Sequence, residues 1–96
     1  MTNGSRGSGN HNDNAAFEAK FYATKLVAEV MRARRVWPIG TKEPLQHLSI
    51  IGEEFGECQR VMNDAWNSQK PWKELLAKEL IQTGAMCIRA LMELKL

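Results

Sequence analysis

The sequence predicts an all-α protein, and three observations support this prediction. Apolar residues recur at helical spacing over three long stretches, near residues 15–36, 45–66 and 72–94. No stretch shows the alternation of apolar and polar residues that a half-buried β-strand needs. Pro38 and Pro71 lie between the stretches, where a proline ends one helix or opens the next. We therefore expect the 96 residues to form one helical domain.

The N-terminal segment differs in composition from the rest. Residues 1–14 are rich in Gly, Ser and Asn and carry almost no apolar side chains. Because such a segment buries too little surface to offset the entropy of ordering it, we expect a disordered or tag-like tail. The helical domain is expected over residues 15–96, with its first helix over 15–36 and Asp13 or Asn14 as its cap.

The second helix carries a group of acidic residues. Its predicted core face is one apolar stripe formed by Leu48, Ile51, Phe55, Cys58 and Met62. Glu53, Glu54 and Glu57 lie beside this stripe, within an arc of about 100°. Ile50 and Val61 share the arc, which a solvated acidic face would not normally contain. We therefore expect the carboxylates of Glu53, Glu54 and Glu57 to be partly buried. The alternative is that they form a solvated acidic face.

The third helix is apolar around most of its circumference. Its thin polar strip holds Lys78, Gln82 and Arg89, and Glu79 lies outside this strip among apolar neighbours. A lone buried carboxylate costs several kcal/mol unless it is paired or bound to a metal. A cation shared with the second helix would explain Glu79. Burial of so apolar a helix also predicts a homo-oligomer, either a dimer or a dimer of dimers.

Carboxylates on two facing helices predict a site for a hard divalent cation. Glu54 and Glu57 are three residues apart and share one helix face. Carboxylate oxygens suit Mg²⁺, with Mn²⁺ as the alternative ion, and protein-bound Mg²⁺ usually also binds substrate phosphates. This chemistry predicts hydrolysis of a phosphoanhydride bond.

The run Glu53-Glu54-Phe55-Gly56-Glu57, followed by Glu79-Leu80-Ile81-Gln82, resembles the MazG-like all-α nucleotide pyrophosphohydrolases. Their pattern is EExxE, a spacer and then ExxD, and the resemblance covers residues 45–92. It implies a MazG-like helical bundle completed by homo-oligomerisation. It also implies Mg²⁺-dependent conversion of nucleoside triphosphates, often deoxy forms, to monophosphate and pyrophosphate, which clears unwanted nucleotides.

The resemblance and the spacing together name the candidate metal ligands as Glu54, Glu57 and Glu79. Glu53 is a further ligand or helps to activate the attacking water. Gln82 stands where the family has Asp. An amide ligates through its carbonyl oxygen but brings no charge, so metal affinity is expected to fall or the site to reorganise.

Other residues are candidates for substrate contacts. His47 lies nearly on the face of Glu54, and its alternative role is that of a half-buried, hydrogen-bonded side chain. Lys78 and Arg89 flank Gln82 and would meet phosphates, or else are plain solvated charges. Three tryptophans are candidates for base stacking or for helix packing, namely Trp37, Trp66 and Trp72.

Composition excludes some classes of function and leaves others open. The formal charge of +2 is too small to indicate a nucleic-acid or membrane partner, and no apolar run reaches the roughly 20 residues of a membrane span. We expect a cytoplasmic protein, since the N-terminus lacks a hydrophobic signal segment, and buried free thiols at Cys58 and Cys87. Two rival functions remain: a catalytically silent helical interaction module on the same fold, and a pyrophosphatase for another nucleotide such as phosphoribosyl-ATP.

Overall fold

The computed structural model describes residues 4–38 and 42–96, and the side chains of residues 14–38 and 42–96. It contains three helices, α1 (Gly4–Val36), α2 (Pro44–Ser68) and α3 (Lys73–Leu94), and no strand within those residues. The all-α prediction is confirmed. The turn predicted at Gly40 lies outside the described residues, as do the first three residues of the expected tail.

Helix α1 begins at Gly4, so residues 4–14 continue the helix where the composition predicted a disordered or tag-like tail. Extending an existing helix adds one hydrogen bond for each residue fixed, which is far less costly than starting a new helix. The helix ends at Val36, before Trp37 and Pro38, because the residue before a proline disfavours helical backbone. The amide of Trp37 donates the last helical hydrogen bond, to the Ala33 carbonyl at 2.7 Å.

The boundaries of α2 and α3 follow from local chemistry. Pro44 occupies the first turn of α2, where its missing N–H costs nothing, and Gln46 accepts a hydrogen bond from the Glu43 amide at 2.7 Å. Both helices end at a residue with left-handed backbone, Gln69 (φ 54°) after α2 and Lys95 (φ 60°) after α3. This conformation lets each cap amide donate back to a carbonyl of the last turn.

Helix α3 is the centre of the fold. It packs against both α1 and α2, whereas α1 and α2 do not pack against each other within the described parts of the chain. The buried apolar residues are mostly small: Val30 and Ala33 on α1, Cys58 on α2, and Ala85 and Ala90 on α3. Small side chains at these contacts allow the helix backbones to approach closely.

The predicted core stripe of α2 is only partly buried. Cys58 is buried and Ile51 is half-buried, but Leu48 (62% exposed) and Phe55 (52% exposed) face outward, as does Met62. The helix is rotated so that His47, Ile50, Glu54, Cys58 and Val61 face α3. The most apolar stripe of a helix therefore does not face the core of its own chain here.

Helix α3 is also less covered than its sequence predicts. Leu75, Leu80, Leu91 and Met92 are exposed, and so is Cys87, for which burial was expected. The reason is that, in the described part of the chain, only α1 and α2 pack against α3, which leaves its outer face open. Both cysteines are free thiols, as predicted, and Cys58 is buried. Across residues 4–38 and 42–96, none of the helices combines the length and apolar character needed to cross a bilayer.

Gly84 marks the closest approach of α1 and α3. A Cβ atom built on Gly84 would lie 2.6 Å from Leu26 Cδ2, well inside van der Waals contact. The absence of a side chain at Gly84 therefore leaves the space that Leu26 occupies. The energetic penalty of a helical glycine is offset by this contact.

The Gly84→Ala variant is expected to lose about 1 kcal/mol of stability, because the new methyl group displaces Leu26. The matched control is Gly52→Ala, since a Cβ there meets nothing within 4 Å. That variant is expected to gain up to about 1 kcal/mol from helix propensity alone. Denaturant unfolding of both variants measures the difference. An equal gain in both would contradict the α1–α3 contact.

Candidate functional site

The carboxylates of Glu54 on α2 and Glu79 on α3 meet across the side chain of Gln82. With its amide nitrogen turned toward them, Gln82 donates to Glu54 Oε2 at 3.2 Å and to Glu79 Oε1 at 3.1 Å. The opposite orientation would leave the amide oxygen facing only acceptors. A single neutral amide therefore joins two carboxylates from different helices.

Helix geometry and one side-chain contact set this arrangement. Glu79 and Gln82 are three residues apart, so they lie on one face of α3. Glu54 lies on the face of α2 that contains His47 and Cys58 and is turned toward α3. The thiol of Cys58 lies 3.6 Å from the hydroxyl of Thr83, which donates to the Glu79 carbonyl at 2.7 Å. These contacts fix the register of the two helices beside the carboxylates.

The site holds excess negative charge. Burial is the main cause of a raised pKa at the Glu54 carboxyl. Negative charge from nearby carboxylates raises this pKa further; in decreasing order they are Glu79, Glu57, Glu29 and Glu53. A bound proton or a bound cation would relieve this charge.

Two of those neighbours already have cationic partners. Hydrogen bonds from Arg32 at 2.9 and 2.6 Å hold the pKa of Glu29 below its ordinary value. Glu57 forms an ion pair with Arg60, one turn along the same helix. No ion pair of Glu54 or Glu79 occurs among the described side chains. The uncompensated charge is therefore concentrated at the pair that Gln82 joins.

The predicted metal ligands are only partly brought together. Glu54, Glu79 and Gln82 converge, whereas the carboxylate of Glu57 is turned toward Arg60. Glu53 is exposed and lines neither of the two cavities described below. Among the side chains that the structure describes, no three His, Cys, Asp or Glu residues are grouped so as to hold a metal ion.

A cavity of about 370 Å³ lies beside the carboxylates. It is partly open to solvent but is the more enclosed of two neighbouring spaces, and is called the enclosed cavity below. Glu54 and Gln82 form one end of its lining, and Arg89 and Glu93 belong to the other end. Apolar side chains line the space between the polar groups; they are Trp37, Ile50 and Met86. Its volume lies in the range of small-molecule sites.

A wider and more open groove of about 950 Å³ runs between α1 and α3. Three lysines line it, Lys25, Lys73 and Lys78, together with the aromatic rings of Tyr22 and Trp72. The groove and the enclosed cavity share three residues of their lining, Glu29, Arg32 and Gln82. Gln82, and with it the carboxylate pair, therefore lies where an enclosed apolar space adjoins a basic surface. Trp66 lines neither space and is exposed.

Arg89 is buried (5% exposed), so its assignment to a solvated polar strip was wrong. Its guanidinium donates to Glu93 Oε2 at 2.9 and 2.7 Å, to the Ala33 carbonyl at 3.3 Å and to the Trp37 carbonyl at 2.9 Å. A helical wheel of α3 alone does not show the α1 carbonyls that receive these bonds. The substrate contact predicted for Arg89 would therefore compete with bonds already made.

His47 is likewise more buried than the half-buried, hydrogen-bonded role considered for it (5% exposed). Its Nε2 lies 3.4 Å from Glu93 Oε1, yet neither atom makes a hydrogen bond. Sequence reasoning missed Glu93. The available signal was an acidic residue on an apolar helix, four positions after Arg89, which is the spacing of a helical ion pair.

A scan against protein-family models, a search of curated proteins and a search of solved structures each found no match for this chain. The MazG-like character accordingly stays a resemblance that rests on the acidic motif.

The raised pKa of Glu54 predicts a pH-dependent cost to folding. Below the ordinary glutamate pKa the carboxyl is protonated in both the folded and unfolded states, so it costs nothing. As pH rises toward and through the raised pKa, the folded state binds more protons than the unfolded state and stability is lost. The cost is complete once the pH lies above the raised pKa.

Without divalent cations, Glu54→Gln should therefore melt at a higher temperature than the parent at pH 7, and this advantage should vanish near pH 4. Thermal melts across this pH range measure it. Glu18→Gln, the same change at an exposed site on α1, is the control and should show no such trend. A Glu54→Gln variant that is equally or less stable at pH 7 would contradict the excess negative charge.

Proposed function

We propose that this protein is an Mg²⁺-dependent nucleotide pyrophosphohydrolase, which converts nucleoside triphosphates, deoxy forms included, to monophosphates and pyrophosphate. One observation carries the proposal. Carboxylates from α2 and α3, Glu54 and Glu79, meet without a cationic partner among the side chains of residues 14–38 and 42–96. The amide that joins them borders both the enclosed cavity and the lysine-lined groove. A nucleotide likewise consists of two parts, a compact and largely apolar nucleoside and a highly charged phosphate chain.

The two spaces suit the two parts of such a substrate. The enclosed cavity of about 370 Å³, with Trp37 and Met86 in its wall, has the apolar character that a nucleoside requires. The open groove contributes Lys25, Lys73 and Lys78, whose ammonium groups would hold the phosphates. Of the predicted substrate contacts, Lys78 is therefore the one that the groove favours.

The donors at the junction suit a hard cation. Glu54 and Glu79 offer carboxylate oxygens, and Gln82 would offer its amide oxygen once the amide is turned over; these are the ligand types that Mg²⁺ or Mn²⁺ takes. Glu57, close enough to raise the pKa of Glu54, is the fourth proposed ligand. A bound Mg²⁺ would supply neutralisation of the phosphate charge and orientation of the attacking water.

The remaining chemistry belongs to side chains of the protein. Glu53 immediately precedes Glu54 on α2, and its carboxylate is exposed. We assign to it the role of accepting a proton from the attacking water. Arg89 and His47 shape the far end of the enclosed cavity. The exposed apolar side chains of α2 and α3, Leu48, Phe55, Leu80 and Leu91 among them, would be covered by assembly into a homo-oligomer.

A second candidate function is a catalytically silent interaction module. It is favoured by the same amide, because Gln82 gives both carboxylates a hydrogen-bond donor without any cation. In that case the acidic motif would be a structural bridge between α2 and α3. The two candidates make opposite predictions about Mg²⁺.

The test of the enzyme is pyrophosphate release across common and modified nucleoside triphosphates with Mg²⁺ or Mn²⁺. At least one substrate should be turned over, and Glu54→Gln should lower kcat/KM by at least about 100-fold, since even groups that only support metal ligands are worth 10–100-fold. Glu18→Gln is the control and should keep parental activity. Near-parental activity of Glu54→Gln would remove Glu54 from the ligand set, and no turnover of any nucleotide would favour the silent module.

Gln82→Asp separates the two candidates by stability. The variant removes the amide bridge and adds a like charge beside Glu54 and Glu79, so the metal-free protein should melt at a lower temperature than the parent. Mg²⁺ should then restore more stability than it does in the parent, because an added carboxylate tightens cation binding. The measurement is the Tm of both proteins across a Mg²⁺ titration.

The matched control is Gln59→Asp, the same change at an exposed position of α2. Its Tm should not respond to Mg²⁺ beyond the parental response. A metal-independent shift in Gln82→Asp would place no cation near residue 82 and would support the silent module.

A further inference from the structure

The enclosed cavity and the lysine-lined groove adjoin at three side chains, Glu29 and Arg32 of α1 and Gln82 of α3. Among the side chains of residues 14–38 and 42–96, Arg32 is the one lysine or arginine that lines both spaces, since the others in the two linings border a single space each. A molecule that occupies both spaces at once must therefore pass Arg32.

The guanidinium of Arg32 has hydrogen-bond donors to spare. Its Nε and Nη2 donate to the two oxygens of Glu29, at 2.9 and 2.6 Å, and Nη1 makes no hydrogen bond within the described residues. A guanidinium carries five N–H groups, so three are left after these two bonds. The side chain is 43% exposed, which makes it accessible to a ligand. Arg89 differs, because it is buried and all three of its nitrogens donate within the protein.

Two neighbours hold the guanidinium of Arg32 in place. The half-buried carboxylate of Glu29 receives two of its N–H groups, and the ring of Trp37 lies against it, with 5.9 Å between Cζ and the ring centroid. A planar group that is fixed in this way loses less conformational entropy when it binds an anion. Its free N–H groups are also those that match the oxygens of a phosphate. Arg32 is therefore a prepared anion site at the junction of the two spaces.

The position of Arg32 corresponds to one part of a nucleotide. With the nucleoside in the apolar cavity and the phosphate chain along the lysines of the groove, the phosphate that connects the two parts lies at the junction. This α-phosphate is also the group whose bond to the next phosphate is broken when a triphosphate yields monophosphate and pyrophosphate. Gln82, which joins Glu54 and Glu79, borders the same junction.

We infer that Arg32 binds the α-phosphate of the nucleotide through the N–H groups that Glu29 leaves free. The inference rests on the proposed function for the ligand being a nucleotide. Contact with the α-phosphate is a binding property, so it is tested with monophosphates, without divalent cations and without turnover.

The experiment is calorimetric titration of the full chain, free of divalent cations, with the four common deoxynucleoside 5′-monophosphates and the four deoxynucleosides. The ratio of the two affinities within a pair isolates the α-phosphate. The best-bound monophosphate should bind about tenfold or more tightly than its nucleoside, which is the value of one hydrogen bond between charged groups. Arg32→Gln should reduce this ratio to about two- to threefold, because it removes the charge and the planar fork.

The matched control is Arg35→Gln, the same change at an exposed arginine one turn later in α1 that lines neither space. It should keep the parental ratio. If Arg32→Gln does not fold, Arg32→Met replaces it, since methionine is an unbranched helix former that likewise has no charge and no N–H donor.

A second variant separates contact from charge neutralisation. Arg32→Gln also leaves Glu29 without its ion pair, and an unpaired carboxylate would by itself repel a phosphate. A double variant, Glu29→Gln with Arg32→Gln, removes both charges, and its ratio should stay at about two- to threefold because the phosphate still lacks its donor. A parental ratio in the double variant would show that Arg32 only neutralises Glu29, which would overturn the inference.

Three further results would overturn it: a parent that binds monophosphate no more tightly than nucleoside, a ratio that survives Arg32→Gln, or no binding of any monophosphate up to about 5 mM. These results are distinct from failure of the proposed function. Arg32-dependent binding of monophosphate without pyrophosphate release from any triphosphate would keep this site and reject the enzyme. Pyrophosphate release by the parent together with an unchanged ratio in Arg32→Gln would keep the enzyme and reject the role of Arg32.

Discussion

The structure depends on one buried cation, the guanidinium of Arg89. It holds the carboxylate of Glu93 on its own helix and the carbonyls of Ala33 and Trp37 at the end of α1. Only a planar group with several fixed donors reaches all of these acceptors at once, which a lysine ammonium does not. Through Glu93 the same network reaches His47 on α2. Hydrogen bonds of Arg89 thus tie α3 to the C-terminal end of α1, and Glu93 brings its second oxygen to 3.4 Å from His47 Nε2 on α2.

The two acidic residues of α3 that face the interior differ in how their charge is balanced. Glu93 is paired with Arg89, which makes it a structural anchor as well as a cavity wall. Glu79 shares only a neutral amide with Glu54, so no cationic side chain of the described residues balances that end of the site. A buried ion pair gives geometric definition rather than net stability. The Arg89–Glu93 pair therefore fixes the geometry of its end of the cavity. The Glu54–Glu79 pair has a charge that a bound cation would neutralise.

Part of this structure was predictable from local sequence, and part was not. Helical spacing and prolines such as Pro71 predicted three helices with nearly the observed bounds of α2 and α3, because those signals act within a few residues. The orientation of α2 was not predictable, since a helical wheel ranks faces by apolar character and does not show which face meets α3. Arg89 was misplaced for a similar reason, because its acceptors lie on α1. The convergence of Glu54 and Glu79 was anticipated from their apolar neighbours, whereas the bridge through Gln82 required the tertiary structure.

The central position of α3 has a consequence for the order of folding during synthesis. Over residues 4–38 and 42–96, helices α1 and α2 pack against α3 and not against each other, and α3 is the last of the three to leave the ribosome. Until then, Val30 on α1 and Cys58 on α2, which are buried in the folded protein, lack the helix that covers them. Neither early helix has a native tertiary contact to stabilise it, so both depend on intrinsic helix propensity while translation continues. The native helix contacts of α1 and α2 therefore form only after α3 has emerged.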